Sequence, residues 1–477
     1  MLLAASTQRT IGFVILAIVL IGFVLYIIFN AKSAKPELGS EIELAANRKP
    51  YLSDEELEGK KLDASLGFGM ALLLIIGIGL PVYWLGEPGR HDGLVEFTDR
   101  VFADRGAELF EVGANCQQCH GPEGTGGVAG TTITNDAGEF VSVVSWKAPA
   151  LNTVLSRYSE DEVLEVLNYG RHGVMPAWGA PGGGALTEQQ LEYLIYYLRR
   201  IQIPEDEIAA EVESGVRAGV RAKLEALDST LFDALEEARV EATALTEDLV
   251  PDSDEFNAAS DAGEALIDAA QAEIDVVIDD WLARVDDVVE GARAMAVEQD
   301  PDLADQLAAA GDDDAVASAN DAIRRAGLEL LSSGEAPDSE LYWEYGEILF
   351  NNSGANGTYA CARCHTYGWS FDAATDGPDD IDGHQGPIVE EYVDGGGFFG
   401  PSLTAGATLI RFETASAQAD FIRDGQAVGV TYGRGGSGGT GQMPGWGPRT
   451  DDELGVDYPA LLSQDQIDAI VAFERNL

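Results

Sequence analysis

Basic side chains are scarce in this 477-residue chain. It has 29 Lys and Arg residues against 82 Asp and Glu residues, a formal net charge of -53. Nucleic acid is therefore not expected as a partner, because binding to phosphates requires clustered basic residues. The acidic balance fits either attraction of a basic redox partner or adaptation of the surface to high salt, and composition alone does not separate the two.

Cysteine is scarce as well. All four cysteines fall into two Cys-x-x-Cys pairs, so none is left over for a disulfide between distant elements. Disulfide usage therefore does not reveal the redox compartment. The compartment has to be inferred from the membrane topology.

Two long apolar runs lie near the N-terminus. Residues 11–29 (IGFVILAIVLIGFVLYIIF) and residues 66–85 (LGFGMALLLIIGIGLPVYWL) contain no charged side chain. Each is long enough to cross a bilayer core of about 30 Å as a helix. We therefore predict two transmembrane helices within residues 1–90. A cleaved signal peptide is the alternative for the first run, but that run is longer than the usual apolar region of such a peptide.

The loop between the two runs is richer in basic residues than the N-terminal tail. The tail carries only Arg9, whereas the loop carries Lys32, Lys35, Arg48, Lys49, Lys60 and Lys61. The positive-inside rule places such a loop in the cytoplasm. We therefore predict a multi-pass protein of the cytoplasmic membrane, with everything after residue 85 on the extracytoplasmic side.

Each cysteine pair is followed directly by a histidine. The stretch GANCQQCHG contains Cys116, Cys119 and His120, and YACARCHTY contains Cys361, Cys364 and His365. Cys-x-x-Cys-His is the attachment signature of c-type haem. Its spacing lets two thiols form thioethers with the vinyl groups of one porphyrin and holds the histidine beneath the iron. We predict two covalently bound haem c groups; a four-cysteine zinc site and a thioredoxin-like redox pair are the alternatives.

Methionine is the third scarce residue type, with five in the chain. Met175 lies in GVMPAWG and Met443 in GQMPGWG, and each follows one of the two haem motifs. A methionine as sixth ligand raises the reduction potential of the iron and suits electron transfer. We predict Met175 and Met443 as the sixth ligands. His172 is the rival ligand for the first haem, and two ordinary core methionines are the alternative without a functional role.

The two haem segments also match outside their ligands. RGAELFEV and YGEILFNN precede the cysteine pairs, and Gly106 and Gly346 within them would let a first helix approach a terminal helix closely. LTEQQLEYLIYYLRRI and LSQDQIDAIVAFERNL follow the methionines, and both begin with a capping box. KAPALN and FGPSLT supply a similar Pro-x-Leu loop in each segment.

This order of helix, Cys-x-x-Cys-His, loop, Met-Pro and terminal helix resembles the class I cytochrome c fold. The resemblance implies two cytochrome c domains, residues 96–204 and 336–477, called the first and second haem segments below. It implies that the four cysteines bind haem covalently and that the axial pairs are His120 with Met175 and His365 with Met443. The second segment departs from the pattern by long glycine-rich loops.

The region between the haem segments, residues 205–335, is called the insert below. It is rich in Asp, Glu and Ala and almost lacks aromatic residues, while its apolar residues recur at helical spacing. We predict an acidic helical hairpin with its turn at VPDSDEFNAASDAG, rather than a disordered acidic linker. The fold class predicted for the whole chain is mainly α. The apolar stripe of the hairpin either closes the hairpin itself or docks on a partner subunit.

A membrane-anchored dihaem cytochrome of this kind resembles the c-type subunits of respiratory complexes. The first interpretation is the cytochrome c subunit of a bcc-type quinol–cytochrome c reductase, which passes electrons to a terminal oxidase and has cytochrome b and Rieske-type subunits as partners. The alternative is the dihaem subunit of a cbb-type haem–copper oxidase. A dihaem peroxidase or dehydrogenase needs an iron with an open sixth position, which two methionine ligands would close. No catalytic residue is predicted in the chain itself.

Overall fold

The computed structural model describes residues 17–18, 20–29, 32, 53, 55–134, 140–171, 175–247, 249, 251, 253–366, 369–372, 400–425, 443–451 and 454–477. The chain divides into two compact units, Met1–Val95 and Glu96–Leu477.

The described part of the N-terminal unit is mainly helical. It contains α1 (Leu20–Phe29), a π-helical turn (Glu56–Lys61) and the beginning of α2 (Leu62–Glu108). Among the described residues, one helical stretch, Glu58–Leu85, is long and apolar enough to cross a membrane, judged by length and composition. It includes the second predicted span. Of the first predicted span, α1 is described as helix, whereas residues 11–16 lie outside the described residues.

The first haem segment is built mainly from short helices. After α2 and a π-helical turn (Leu109–Gly113) come α3 (Gln117–His120), β1 (Gly127–Thr134), β2 (Phe140–Ala148), α4 (Val154–Arg157), α5 (Glu160–Tyr169) and α6 (Glu188–Ile201). The capping box predicted for α6 is confirmed, because Thr187 and Gln190 satisfy each other's backbone N–H groups. Phe110, Leu155 and Leu191 lie at the centre of its apolar core, each at most 2% exposed.

The antiparallel hairpin of β1 and β2 was not predicted from the sequence. Gly127 lies opposite Ala148, and the register continues to Ile133 opposite Ser142. The short strand β3 (Phe371–Asp372) of the second haem segment adds to β2 as a third strand. The strand residues are rich in Val, Ile and Thr, which favour extended backbone. The sheet is therefore a local exception within a mainly helical protein.

The insert is helical, but the predicted hairpin is wrong in detail. Its described residues form five α-helices, α7 (Glu205–Leu227), α8 (Asp233–Thr246), α9 (Asp254–Gln299), α10 (Pro301–Ala309) and α11 (Asp313–Ser333), and a 3-10 turn (Ser229–Phe232). Three breaks occur where an acidic side chain caps the next helical turn, at Asp228, Asp300 and Asp312. Much of the predicted turn instead forms the beginning of α9, whose N-cap is Ser253.

The apolar stripe of the insert packs against the second haem segment. That segment contains α12 (Ser339–Phe350), α13 (Ala362–His365), β3, α14 (Ala407–Arg411), α15 (Ala415–Asp424), β4 (Arg449–Asp451), β5 (Val456–Tyr458) and α16 (Gln464–Glu474). Val216, Val220 and Ile278 of the insert share one buried cluster with Leu349 and Ile470 of the segment. The stripe therefore completes the core of the second haem segment.

Candidate haem-binding sites

The second haem segment encloses a cavity of about 330 Å³. Cys361, Cys364 and His365 line it from α13 and the residue before it, and Met443 lines it from the Met-Pro frame. The four side chains predicted to bind the second haem therefore face one space. Two thiols, an imidazole and a thioether are the donor set that a covalently attached, six-coordinate haem requires.

Both predicted proximal histidines are oriented in the same way. His120 Nδ1 lies 2.9 Å from the carbonyl oxygen of Pro149, and His365 Nδ1 lies 2.9 Å from that of Pro401. Because a carbonyl oxygen only accepts, Nδ1 carries the proton in each ring and Nε2 keeps its lone pair. Burial lowers the pKa of both imidazoles, which favours the neutral form. A neutral histidine held by a carbonyl is the arrangement that metal-binding histidines adopt.

The cysteine environments do not favour the two alternatives. Burial raises the pKa of Cys116 to about 11 and also raises that of Cys361, whereas a redox-active thiol has a lowered pKa. Cys361 belongs to the large apolar cluster that includes the insert, and Cys116 packs against the smaller cluster of the first haem segment. Two pairs in separate cores do not fit a single four-cysteine zinc site.

The two Met-Pro frames are held against a helix end by a glycine. Gly170 follows α5 with φ 76°, and Gly425 follows α15 with φ 56°. A Cβ at Gly170 would overlap the carbonyl oxygen of Met175, and one at Gly425 would overlap the backbone nitrogen of Gly445. Glycine is therefore required at both positions, for its positive φ and for the close approach.

The tryptophan of each frame anchors the frame through its backbone. Trp178 N–H donates to the Leu167 carbonyl oxygen (2.9 Å), and Trp446 N–H donates to that of Ile422 (3.1 Å). Both acceptors lie three residues before the glycine that ends the helix. On its other side, the carbonyl of Trp178 accepts from Leu186 N–H (2.8 Å). The repeated Met-Pro-x-Trp-Gly sequence thus corresponds to a repeated set of backbone contacts.

Part of the first predicted haem site, residues 172–174, lies outside the described residues. Cys116 and Met175 both pack against the apolar core of the first haem segment. Met175 also exchanges two backbone hydrogen bonds with Arg171 (2.9 and 3.1 Å). His172, the rival ligand, lies outside the described residues, so the choice between His172 and Met175 stays a prediction.

Several residues of the second cavity were missed by the sequence analysis. Glu474 of α16 lines the cavity and accepts a hydrogen bond from Gln418 Nε2 at 2.7 Å. Burial raises its pKa to about 8. Arg157 and Arg171 of the first haem segment also line this cavity. No sequence motif predicts that these residues line the cavity. The shared Pro-x-Leu sequence was the one signal for the loops that hold the histidines.

The two sites adjoin through direct contacts between the haem segments. Ala150 follows the proline that holds His120, and its N–H donates to Thr358 Oγ1 at 2.8 Å. Thr358 itself lines the second cavity. Arg363, inside the second cysteine motif, donates from Nη1 to the carbonyl oxygen of Lys147 at 2.6 Å. The loop behind the first predicted haem therefore touches the wall of the second cavity.

Comparison with known proteins identifies the class of the first haem segment. A family model described as cytochrome C oxidase, cbb3-type, subunit III matches residues 102–198. The chain therefore contains a c-type cytochrome domain, with covalently bound haem c and a role in electron transport.

A curated relative makes the comparison more specific. The chain is 26% identical over 163 residues to the cbb3-type cytochrome c oxidase subunit CcoP of Rhodobacter capsulatus. The similarity covers 33% of this chain and 42% of the relative, so the chain spans less than half the length of that protein. The comparison with solved structures found no match.

Proposed function

We propose that this chain is a membrane-anchored dihaem cytochrome c subunit of a cbb3-type haem–copper oxidase. The family match and the curated relative both name such an oxidase, and so they favour this function over a subunit of a bcc-type reductase. The cavity shared by Cys361, Cys364, His365 and Met443 carries the proposal of a second haem.

The second haem segment is proposed as a second cytochrome c domain. It repeats the histidine–proline contact, the glycine at the helix end and the tryptophan anchor of the first segment. It also repeats the capped terminal helix, since Ser463 and Gln466 form the capping box of α16. The second-segment copies of these features lie outside residues 102–198, which the family model matches.

The residues of the chain would hold each haem as an electron carrier. The cysteines would attach the porphyrin, and one histidine and one methionine would be the ligands of the iron. The haem supplies one-electron redox chemistry when bound. Irons held by both a histidine and a methionine would not bind substrate, so catalysis would belong to partner subunits. Those partners are the other membrane subunits of the oxidase, and the net charge of -53 suits a basic electron donor.

The proposed arrangement in the membrane has two spans. The apolar stretch within Glu58–Leu85 and the helical part of residues 11–29 supply them. Basic residues in the connecting loop place that loop in the cytoplasm. Both haem segments then lie on the extracytoplasmic side, where c-type haem is attached.

Purification of the intact complex from native membranes tests this function. We expect the tagged chain to co-elute with a haem–copper catalytic subunit and the preparation to consume oxygen when supplied with a reductant. An untagged strain taken through the same column controls for carry-over. Co-elution with cytochrome b and a Rieske protein, without oxygen consumption, would contradict the oxidase and support the reductase. Peroxide turnover by the chain alone would contradict a carrier.

A further inference from the structure

The cavity of the second haem segment has a wall made by the first haem segment. Arg157, Tyr158 and Arg171 line it beside the cysteines and histidine of the second motif. Arg157 closes α4, the short helix that follows the loop holding His120. A side chain of one predicted cytochrome domain therefore faces the cofactor space of the other.

Arg157 is buried without a charged partner. It is 8% exposed, and within the described residues its guanidinium forms no ion pair with a carboxylate. Nη1 and Nη2 reach the carbonyl oxygens of Thr358 and Ala150 only at 3.5 Å, the outer limit of a hydrogen bond, and Nε has no acceptor. The guanidinium carbon also lies 5.6 Å from the centre of the Tyr158 ring. A buried cation left in this way destabilises the fold, because the lost hydration of the charge is not replaced.

Two other largely buried arginines among the described residues, Arg324 and Arg363, have full sets of partners. Arg324, with a side chain 10% exposed, pairs with Asp468 and Asp321. Arg363 donates to three carbonyl oxygens, those of Asn356, Gly357 and Lys147. Because the protein pairs these guanidiniums so fully, the open donors of Arg157 indicate a partner that comes with the cofactor.

We propose that Arg157 of the first haem segment binds a propionate carboxylate of the haem held by the second segment. Haem c carries two propionates, and these are its anionic side groups. A guanidinium presents parallel N–H donors that match the two oxygens of a carboxylate. This inference rests on the proposed function, since it requires a haem in the second cavity.

The contact has an electrostatic consequence. A guanidinium beside the haem offsets the negative charge of the propionate, which would otherwise stabilise the ferric state. Removal of the guanidinium therefore lowers the reduction potential of the second haem at alkaline pH, where the released carboxyl group is ionised. The potential of the first haem stays the same, because the contact lies in the cavity of the second.

Redox titration of the full-length protein in its complex tests the contact. Wild type is compared with Arg157→Met, with Arg157→Lys, which keeps the charge, and with Arg324→Met, which removes a buried arginine outside the cavity. We expect two haems per chain in each, a lower potential of the second haem in Arg157→Met alone, and partial or full recovery in Arg157→Lys. Two haems with unchanged potentials in Arg157→Met would overturn the contact.

The haem count separates failure of this contact from failure of the proposed function. A wild-type chain with fewer than two haems would overturn both. If Arg157→Met loses the second haem, Arg157→Lys decides the question. If the lysine variant keeps the second haem, the result supports a contact through charge. If the lysine variant loses the second haem as well, the contact is overturned, because loss of the shape of the arginine side chain would explain both variants.

Discussion

Glu474 places a carboxyl group inside the cavity of the second haem segment. Burial raises its pKa to about 8, so the group is protonated below that pH and ionised above it. Ionisation adds a negative charge beside the haem and stabilises the ferric state. We therefore expect the reduction potential of the second haem to fall as the pH rises through about 8, by at most about 59 mV per pH unit.

Redox titration over a pH series measures this dependence. In Glu474→Gln the potential of the second haem should stay level across the same range, because the amide does not titrate. Glu329→Gln is the matched control, since Glu329 is partly buried and bonds the backbone at the beginning of α15 outside the cavity. A slope that persists in Glu474→Gln would assign it to another group.

The residues that bear the chemistry differ in how well the sequence could predict them. Cys361, Cys364 and His365 form one short sequence motif, and Met443 lies in a repeated Met-Pro-x-Trp-Gly sequence. The sequence pattern alone therefore predicted these four residues as haem ligands or attachment sites. Arg157 and Glu474 reach the cavity from distant parts of the chain. Their roles follow from tertiary packing, which has no local signature in the sequence.

At the scale of elements, two glycines set the distance between paired helices. A Cβ at Gly106 would overlap the carbonyl oxygen of Tyr193 on α6, and a Cβ at Gly346 would overlap that of Ala469 on α16. The predicted close approach of first and terminal helices is thereby confirmed. In each haem segment the crossing brings the helix before the cysteine motif against the helix after the methionine frame.

Alanine at these glycines should force the helices apart. We expect Gly106→Ala and Gly346→Ala each to lower the free energy of unfolding by about 1–3 kcal/mol or more, since overpacking of a tight contact costs that much. Gly291→Ala in α9 is the control. No atom lies within 4 Å of a Cβ built there, so it should stabilise the helix by about 0.5–1 kcal/mol. Thermal unfolding followed by circular dichroism measures all three, and a Gly346→Ala variant as stable as wild type would refute the packing role.

The insert shows what periodicity predicts about an element and what it leaves open. Its helical character was predicted correctly, because Val212, Val216 and Val220 recur at helical spacing, but the number of helices was not. The surface that the apolar stripe contacts was not predicted, because helical periodicity does not identify the partner of an apolar face. In the structure, Tyr359 lies two residues before Cys361, and its hydroxyl group donates to Glu211 of α7 at 2.5 Å. The insert therefore supports the second cysteine motif directly.

The strands were missed for a related reason. Residues 127–148 combine β-branched residues with the turn-forming stretch NDAG, a signal typical of a hairpin. The resemblance to a helical cytochrome fold favours a loop between the cysteine motif and the Met-Pro frame, and so the hairpin was not predicted. The third strand, β3, adds to the sheet from the other haem segment, and such a pairing across 225 positions between Trp146 and Phe371 leaves no local trace.

At the scale of the whole molecule, residues 96–477 form one compact unit rather than separate domains joined by a linker. Arg449, which follows the second methionine frame, donates to the carbonyl oxygen of Leu155 at 2.6 Å. Tyr458 of β5 is buried in the apolar core of the first haem segment. These contacts fix the two proposed haem sites relative to each other. A fixed separation is what repeated electron transfer between two carriers requires.

Two carriers in one unit should titrate in two steps. A methionine ligand raises the potential of a c-type haem, and axial ligands set haem potentials over a range of about 0.8 V. We therefore expect Met175→Ala to lower the potential of one step and Met443→Ala to lower that of the other. Met295→Ala should shift neither, because Met295 packs against the same large cluster as Met443 but does not line the cavity.

The same titration decides the open ligand of the first haem. If Met175→Ala leaves both steps in place while His172→Ala shifts one, His172 binds that iron and the two frames differ in function despite their shared spelling. A single step in wild type, with one haem per chain, would contradict the second cytochrome domain. If Met175→Ala shifts one step and Met443→Ala shifts the other, each methionine binds one iron. The repeated tryptophan and glycine contacts are then the common scaffold of two independent haem sites.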